Sequence, residues 1–211
     1  MGAKKYGDVI VVDDNSTDNT KKVSESLGAF VVYNRINVGY SQSLEKGIKK
    51  AVGLRFTHSI TMDADGEHSP RIIENYLKLF KNNDLIFGVR NKRARLAEKL
   101  IGSYFKREYG VNDITCGMKG LNLRLIKNSK IMIVENNLGL SIYNYLLRNN
   151  IGFSELKVDG VKRIDKSRYG SFFLANMKIL ITLFRLLFVN HLRSPLKSLI
   201  KKFYWFSFKN N

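Results

Sequence analysis

Thr57-His58-Ser59-Ile60-Thr61-Met62-Asp63-Ala64-Asp65-Gly66-Glu67-His68-Ser69-Pro70 is the stretch on which the fold turns. The run Thr57–Met62 is β-rich, and Ser69-Pro70 is a helix-opening pair. A buried strand therefore ends by sending two carboxylates, two residues apart, into a loop. In open α/β sheets, ligands bind at the carboxyl ends of strands. Like charges this close repel unless a cation lies between them. Asp63 and Asp65 around Mg²⁺ or Mn²⁺ would clamp a diphosphate, because these ions prefer oxygen donors and are commonly shared with substrate phosphates. For a lone Asp-x-Asp, a solvated Asp-Gly turn is the plainer reading. A second acidic strand end nearby argues against it.

That second end is Val9-Ile10-Val11-Val12-Asp13-Asp14-Asn15-Ser16-Thr17-Asp18-Asn19-Thr20. Four β-branched residues in a row read as a strand covered on both faces, as in a parallel sheet. The strand stops at an acidic pair and passes into a polar turn. Ser16 or Thr17 is expected to cap a helix running to about Leu27, with Gly28 as its stop. Asp13 and Asp14 then either join Asp63 at one sheet edge or serve only to order the turn.

These segments resemble family 2 glycosyltransferases. Val11 to Thr20 is similar to the family's VVDDxSxDxT segment, and Asn37-Val38-Gly39 with Gly47 resembles its N-x-G stretch and following helix. Asp63 to Pro70 is close to the D-A-D-x-Q-H-x-P form of the dolichol-phosphate mannosyltransferase and polyprenyl-phosphate glycosyltransferase branch. Asp113-Ile114-Thr115-Cys116-Gly117-Met118-Lys119 resembles that branch's D-x-T-S-G-F-[RK] segment. Arg163 to Gly170 resembles its R-x-x-G-x-S-[KR]-Y segment. The five matches fall in family order over roughly residues 8–170. Cys116, Glu67 and Asp165 stand where Ser, Gln and Gly are usual. Family members open with a further strand and helix before the DD strand, for which Met1–Gly7 is too short. The resemblance thus implies a GT-A-like, doubly wound, mostly parallel α/β sheet, N-terminally shortened. The strands ending near Val12 and Met62 would lose a shared neighbour and expose unpaired edges.

Strands are expected at 8–13, 29–33, 57–63, 84–89, 115–121 and 153–159. Helices are expected at 18–27, 39–52, 70–82, 94–108, 138–149, 171–190 and 196–207. The 211 residues divide into an α/β domain at 1–165 and a basic appendage at 166–211. A single cysteine rules out an intramolecular disulfide. Net charge is +18, and no acidic residue follows Asp165. Beyond it, Lys178, Thr182 and Arg185 share one helical face of an otherwise apolar run, and Tyr204-Trp205-Phe206 adds rings that favour interfaces. Basic amphipathic helices of this kind lie in the plane of an anionic membrane. Peripheral attachment at the cytoplasmic face is the expectation. A span through 171–190 is the alternative, opposed by about 2.5–3.5 kcal/mol for each of Lys178 and Arg185 at mid-bilayer. The basic residues gather beside apolar faces and not along an aromatic groove, so nucleic acid is not an expected partner.

The resemblance implies a nucleotide-diphosphate sugar as donor and a polyprenyl or dolichyl phosphate as acceptor. Asp63, Asp65 and Glu67 are the candidate metal ligands; Asp13, Asp14 and Asp63 are candidates for holding the nucleotide. Asp63, Asp65 and Arg163 are the candidate catalytic residues. An anionic acceptor needs cations, and Arg binds phosphate through paired donors. Arg93, Thr115, Arg163, Ser167 and Arg168 are accordingly the candidates for the acceptor phosphate. Two other readings stay open: an inactive membrane-bound remnant, and a phosphate-receiver domain built on Asp13, Asp14 and Asp63.

Overall fold

The computed structural model describes residues 2–91, 96–127, 141–159, 176–177 and 180–181. Its first sheet is a parallel pair, β1 (Ile10–Asp13) and β2 (Phe30–Tyr33), with Ile10 opposite Phe30 and Asp13 opposite Tyr33. Between them runs α1 (Thr20–Ser26). Asp18 orders its start by accepting the Thr20 amide at 2.9 Å and also the Thr20 hydroxyl. Neither Ser16 nor Thr17 caps it as expected, because the helix starts only at Thr20 and its cap position falls on Asn19; Ser16 belongs to the preceding turn, its amide donating to Asp13 Oδ1 at 2.8 Å. Past the helix, Gly28 adopts φ 73°, a left-handed conformation that costs glycine little.

α2 (Tyr40–Gly53) leads to β3 (His58–Thr61), and a 3₁₀ turn at Pro70–Ile72 leads into α3 (Ile73–Leu79). β4 (Leu85–Arg90), α4 (Leu96–Tyr109), β5 (Lys119–Asn122), α5 (Arg124–Lys127), α6 (Ser141–Arg148) and β6 (Ser154–Val158) complete the order. The second sheet runs β3-β5-β4-β6. The sheet is mostly parallel as expected, with one reversal: β3, β4 and β6 run the same way, and β5 is antiparallel to both β3 and β4. Arg90, at the end of β4, holds Asp113 in the turn that precedes β5, and β5 then enters the sheet with Lys119 opposite Phe87. The strand expected from 115 begins only at Lys119, since Thr115 and Cys116 belong to the turn that Arg90 pins.

Alternation along β4 shows why both faces are apolar. Leu85 and Phe87 enter the larger core with Ile101 and Phe105 of α4 and Tyr143 and Leu146 of α6. Ile86 points the other way, toward Tyr76 of α3 and Met118. Each side chain fully buried in this way contributes about 1.5–3 kcal/mol. β1 and β3 share no ladder, so the sheet is divided between the strands ending at Asp13 and Thr61, where a lost neighbour was expected. α2 packs against strands of both parts, and Gly47 lets it approach β1, since a Cβ there would lie 3.0 Å from Val12 Cγ2.

The expected boundary at 165/166, the helix expected over 196–207 and most of that over 171–190 lie outside the described residues. Where 176–181 is described, Asn176 accepts the Ala97 amide at 3.3 Å and Leu180 packs against the larger core. Among the described residues, no helix is long and apolar enough to cross a membrane.

Candidate functional site

Asp63 follows β3, and its carboxylate lies against Gly117 in the turn before β5. A Cβ at 117 would overlap that carboxylate, falling 2.7 Å from Oδ1 and closer still to Oδ2. The two segments are laced together by Thr61, whose hydroxyl donates to the Gly117 carbonyl at 2.7 Å and accepts the Lys119 amide at 3.2 Å. His68, 5% exposed, folds the loop back: its Nδ1 accepts the Asp63 amide at 3.3 Å. Asp65 Oδ1 accepts the Glu67 amide at 3.1 Å, and Gly66 turns the chain between them with φ 83°. The Asp63 carboxylate itself accepts no hydrogen bond from the described residues, although Asp63, Asp65 and Glu67 are all partly exposed.

An exposed loop with hard oxygen donors, one of them lacking a proton donor, fits a magnesium or manganese ion. Among the described residues, no three His, Cys, Asp or Glu side chains converge as a metal cage, so Glu67 does not complete a three-carboxylate set here.

Beside this loop, Arg90 forms a two-pronged pair with Asp113, Nε to Oδ2 at 2.9 Å and Nη2 to Oδ1 at 3.1 Å. Nη2 also donates to Thr115 Oγ1 at 2.7 Å, and Thr115 donates to Asp113 at 2.9 Å. Glu98 lies 3.7 Å from the same guanidinium. Burial alone would raise the Asp113 pKa, but the Arg90 hydrogen bond and charge hold it below the usual carboxylate range. Thr115 therefore orders this turn. Cys116 is buried, and burial pushes its thiol pKa up, which suits a packed side chain and not a nucleophile.

Asp13 is buried and engaged by Ser16. Asp14 gathers the Asn37–Gly39 turn: Oδ1 accepts Val38 N (2.8 Å) and Asn34 Nδ2 (2.9 Å), and Oδ2 accepts Gly39 N (2.7 Å). Burial would raise its pKa; the Val38 amide, Asn34, the Gly39 amide and Ser43 outweigh that and lower it. Asn34 extends the network to Ser43 (3.1 Å) and to Lys46 Nζ (2.6 Å). His58 packs against Phe80 with ring centres 4.5 Å apart and the planes tilted by 50°. Arg93, Arg163, Ser167 and Arg168 lie outside the described residues.

Sequence reasoning gave no role to Gly117, Lys119 or the Arg90–Asp113 pair. The motif Thr115-Cys116-Gly117-Met118-Lys119 carried the signal, but only the fold brings Gly117 under a carboxylate 54 residues earlier.

The profile of glycosyl transferase family 2 matches residues 5–127, more than half of the chain. The chain belongs to that family. An uncharacterised protein of Methanocaldococcus jannaschii is 30% identical over 145 residues, covering 58% of this chain and 63% of the relative. A UDP-N-acetylglucosamine--dolichyl-phosphate N-acetylglucosaminyltransferase of Methanococcus voltae is 26% identical over 159 residues, 67% of this chain and 53% of the relative. The family 2 chain thus spans 53% and 63% of these two relatives' lengths. Among solved structures, glucosyl-3-phosphoglycerate synthase from Mycobacterium tuberculosis, in complex with Mn²⁺, UDP-glucose and phosphoglyceric acid, superposes with a TM-score of 0.63. Identity is 14%, and the overlap covers 83% of this chain and 67% of that one, so the shared property is the GT-A fold. Family membership sets aside the receiver reading of Asp13, Asp14 and Asp63.

Proposed function

We propose that this chain moves a sugar from a nucleotide-diphosphate sugar to a polyprenyl or dolichyl phosphate at a membrane surface. The observation that carries the reading is the Asp63 loop: a family 2 strand end whose carboxylate is aimed by Gly117 and left without a hydrogen-bond donor. Asp63 and Asp65 would hold Mg²⁺ or Mn²⁺, with Glu67 orienting the loop through its amide. When bound, the ion supplies Lewis-acid neutralisation of the charge that grows on the departing diphosphate. Asp14 organises the Asn37–Gly39 turn that would border the nucleotide, with Asp13 stiffening the same strand end. A lipid phosphate is already anionic, so its oxygen attacks without a general base. Arg163, with Arg93, Ser167 and Arg168, would orient that phosphate and offset its charge, with Thr115 keeping the adjoining turn in place.

The Methanococcus voltae relative is named for a dolichyl-phosphate acceptor, and the Mycobacterium tuberculosis synthase is seen with Mn²⁺ and UDP-glucose. Both support the proposed substrates. Two helical stretches joined at Asn176 and Ala97 carry exposed apolar side chains at i,i+4 spacing, Leu96 with Leu100 and Met177 with Ile181. That pattern, in a chain whose basic residues outnumber its acidic ones by 18, favours a peripheral seat on an anionic membrane. The divided sheet favours a second reading, in which the chain keeps the fold and has lost turnover. Transfer of radiolabelled sugar from UDP- and GDP-linked donors to polyprenyl phosphate, with and without Mn²⁺, separates the two. Metal-dependent lipid labelling is expected; its absence, with nucleotide still bound, selects the inactive form.

A further inference from the structure

Asn34 follows β2 and is 2% exposed. Its backbone amide donates to the Asp13 carbonyl at 2.9 Å, one step beyond the β1–β2 ladder. Charged side chains meet both ends of its own amide group. Nδ2 donates to Asp14 Oδ1 at 2.9 Å and to Ser43 Oγ at 3.1 Å, while Oδ1 accepts Lys46 Nζ at 2.6 Å. An ammonium only donates and a carboxylate only accepts, so these two neighbours allow a single orientation of the amide. Its dipole, set between a cation and an anion, is favoured by each. Ser43 and Lys46 stand three residues apart on α2, hence on one face, and Lys46 is exposed. One buried amide thus joins the end of β2 to α2 and to the carboxylate that follows β1.

We propose that Asn34, held in one orientation by Lys46, is a positioning residue for the nucleoside end of the donor. The inference rests on the donor-site reading above, in which the Asn37–Gly39 turn borders the nucleotide. Asp14 holds that turn through Val38 N at 2.8 Å, Gly39 N at 2.7 Å and, by its carbonyl, Asn37 Nδ2 at 3.2 Å. Asp14 Oδ1 is shared between Val38 N and Asn34 Nδ2, so the Asn34 amide fixes where the carboxylate sits and, through it, the turn. The Asp63 loop is tied elsewhere, by Thr61 to Gly117 and by His68 to the Asp63 amide. A displaced turn therefore weakens the hold on a nucleoside and spares the hold on a diphosphate.

The test compares two probes on the full chain by calorimetry at saturating Mn²⁺: inorganic pyrophosphate, and whichever of UDP and GDP the wild type binds. Asn34→Asp keeps the shape and the Lys46 contact but turns an acceptor toward Asp14 in place of a donor. It is expected to bind the nucleotide about tenfold weaker and pyrophosphate as the wild type does. Lys46→Met, which frees the amide to turn over, is expected to lose about threefold on the nucleotide alone, and Lys46→Arg to retain wild-type affinity. A merely structural network would leave the ratio of the two affinities unmoved, whatever it did to the melting temperature. In Asn34→Asp, affinities that fall together or do not move overturn the proposal. Should Asn34→Asp fail to fold, Lys46→Met decides: a nucleotide-only loss that Lys46→Arg lacks supports the proposal, and an unchanged ratio contradicts it. Wild-type protein that takes pyrophosphate but neither nucleotide overturns this proposal and leaves the Asp63 loop standing. Binding of neither probe sinks the donor-site reading and this proposal with it.

Discussion

At Gly117 the chain has no room for a methyl group, because the Asp63 carboxylate already fills the space a Cβ would take. Gly117→Ala is expected to displace Asp63 and weaken Mn²⁺-dependent nucleotide binding by about tenfold or more, a 1 Å misplacement being enough for losses of that order. Circular dichroism should show the secondary structure retained. Asp65→Asn is expected to abolish metal-dependent nucleotide binding with little change in melting temperature, since its carboxylate serves a partly exposed loop. Unchanged binding in either variant would remove the corresponding residue from the site. Asp63 and Asp65 stood out in the sequence because a second acidic strand end, at Asp13-Asp14, argued against a plain solvated Asp-Gly turn. Gly117 was not readable in the same way: its reason lies in a neighbour that only tertiary packing supplies.

Among the elements, the turn before β5 is anchored to the end of β4 by the Arg90–Asp113 pair. Arg90→Met would leave Asp113, 1% exposed, as a buried charge without its partner. The expected cost is about 3 kcal/mol, toward the lower end for breaking a buried pair because Arg90 is partly solvated. For a chain of this size that lowers the melting temperature by about 6–12 °C, measurable by differential scanning calorimetry. The acid limb of stability follows from the same pair and from Asp14, both of whose pKa values are depressed by folding. A carboxylate with a folded pKa below its unfolded one stabilises the fold above the unfolded value, near 3.8. That contribution is lost as pH falls through the folded values. Urea midpoints should therefore be flat from neutrality down to about pH 5 and drop below pH 4, with a smaller drop in Asp14→Asn. Periodicity located most strands and helices within a few residues. It missed the reversal of β5, because a four-residue strand holding a buried Lys119 and Gly120 reads the same in either direction. It also placed the α1 cap at Ser16 or Thr17, whereas the polar turn runs on to Asn19 and the helix starts at Thr20, where Asp18 accepts the amide.

For the molecule as a whole, the division between β1 and β3 leaves one edge of each strand without a ladder partner among the described residues. Open edges of this kind template pairing with other chains. The purified 211-residue chain is expected to self-associate with rising concentration, seen by light scattering behind a sizing column. A stable monomer at high concentration would show that these edges are covered. The resemblance implied a lost neighbour between the strands near 8–13 and 57–63, and those two strands share no ladder. The single reversed strand, β5, was not legible, since side-chain alternation carries no direction. Chemistry at the donor end is tested most directly by calorimetric titration of UDP and GDP into the chain, with Mn²⁺ and then with EDTA. The account predicts binding of a nucleoside diphosphate that requires Mn²⁺ and disappears in Asp63→Asn and Asp65→Asn. Binding that survives EDTA and both substitutions, or no binding of either nucleotide with Mn²⁺ present, would contradict it.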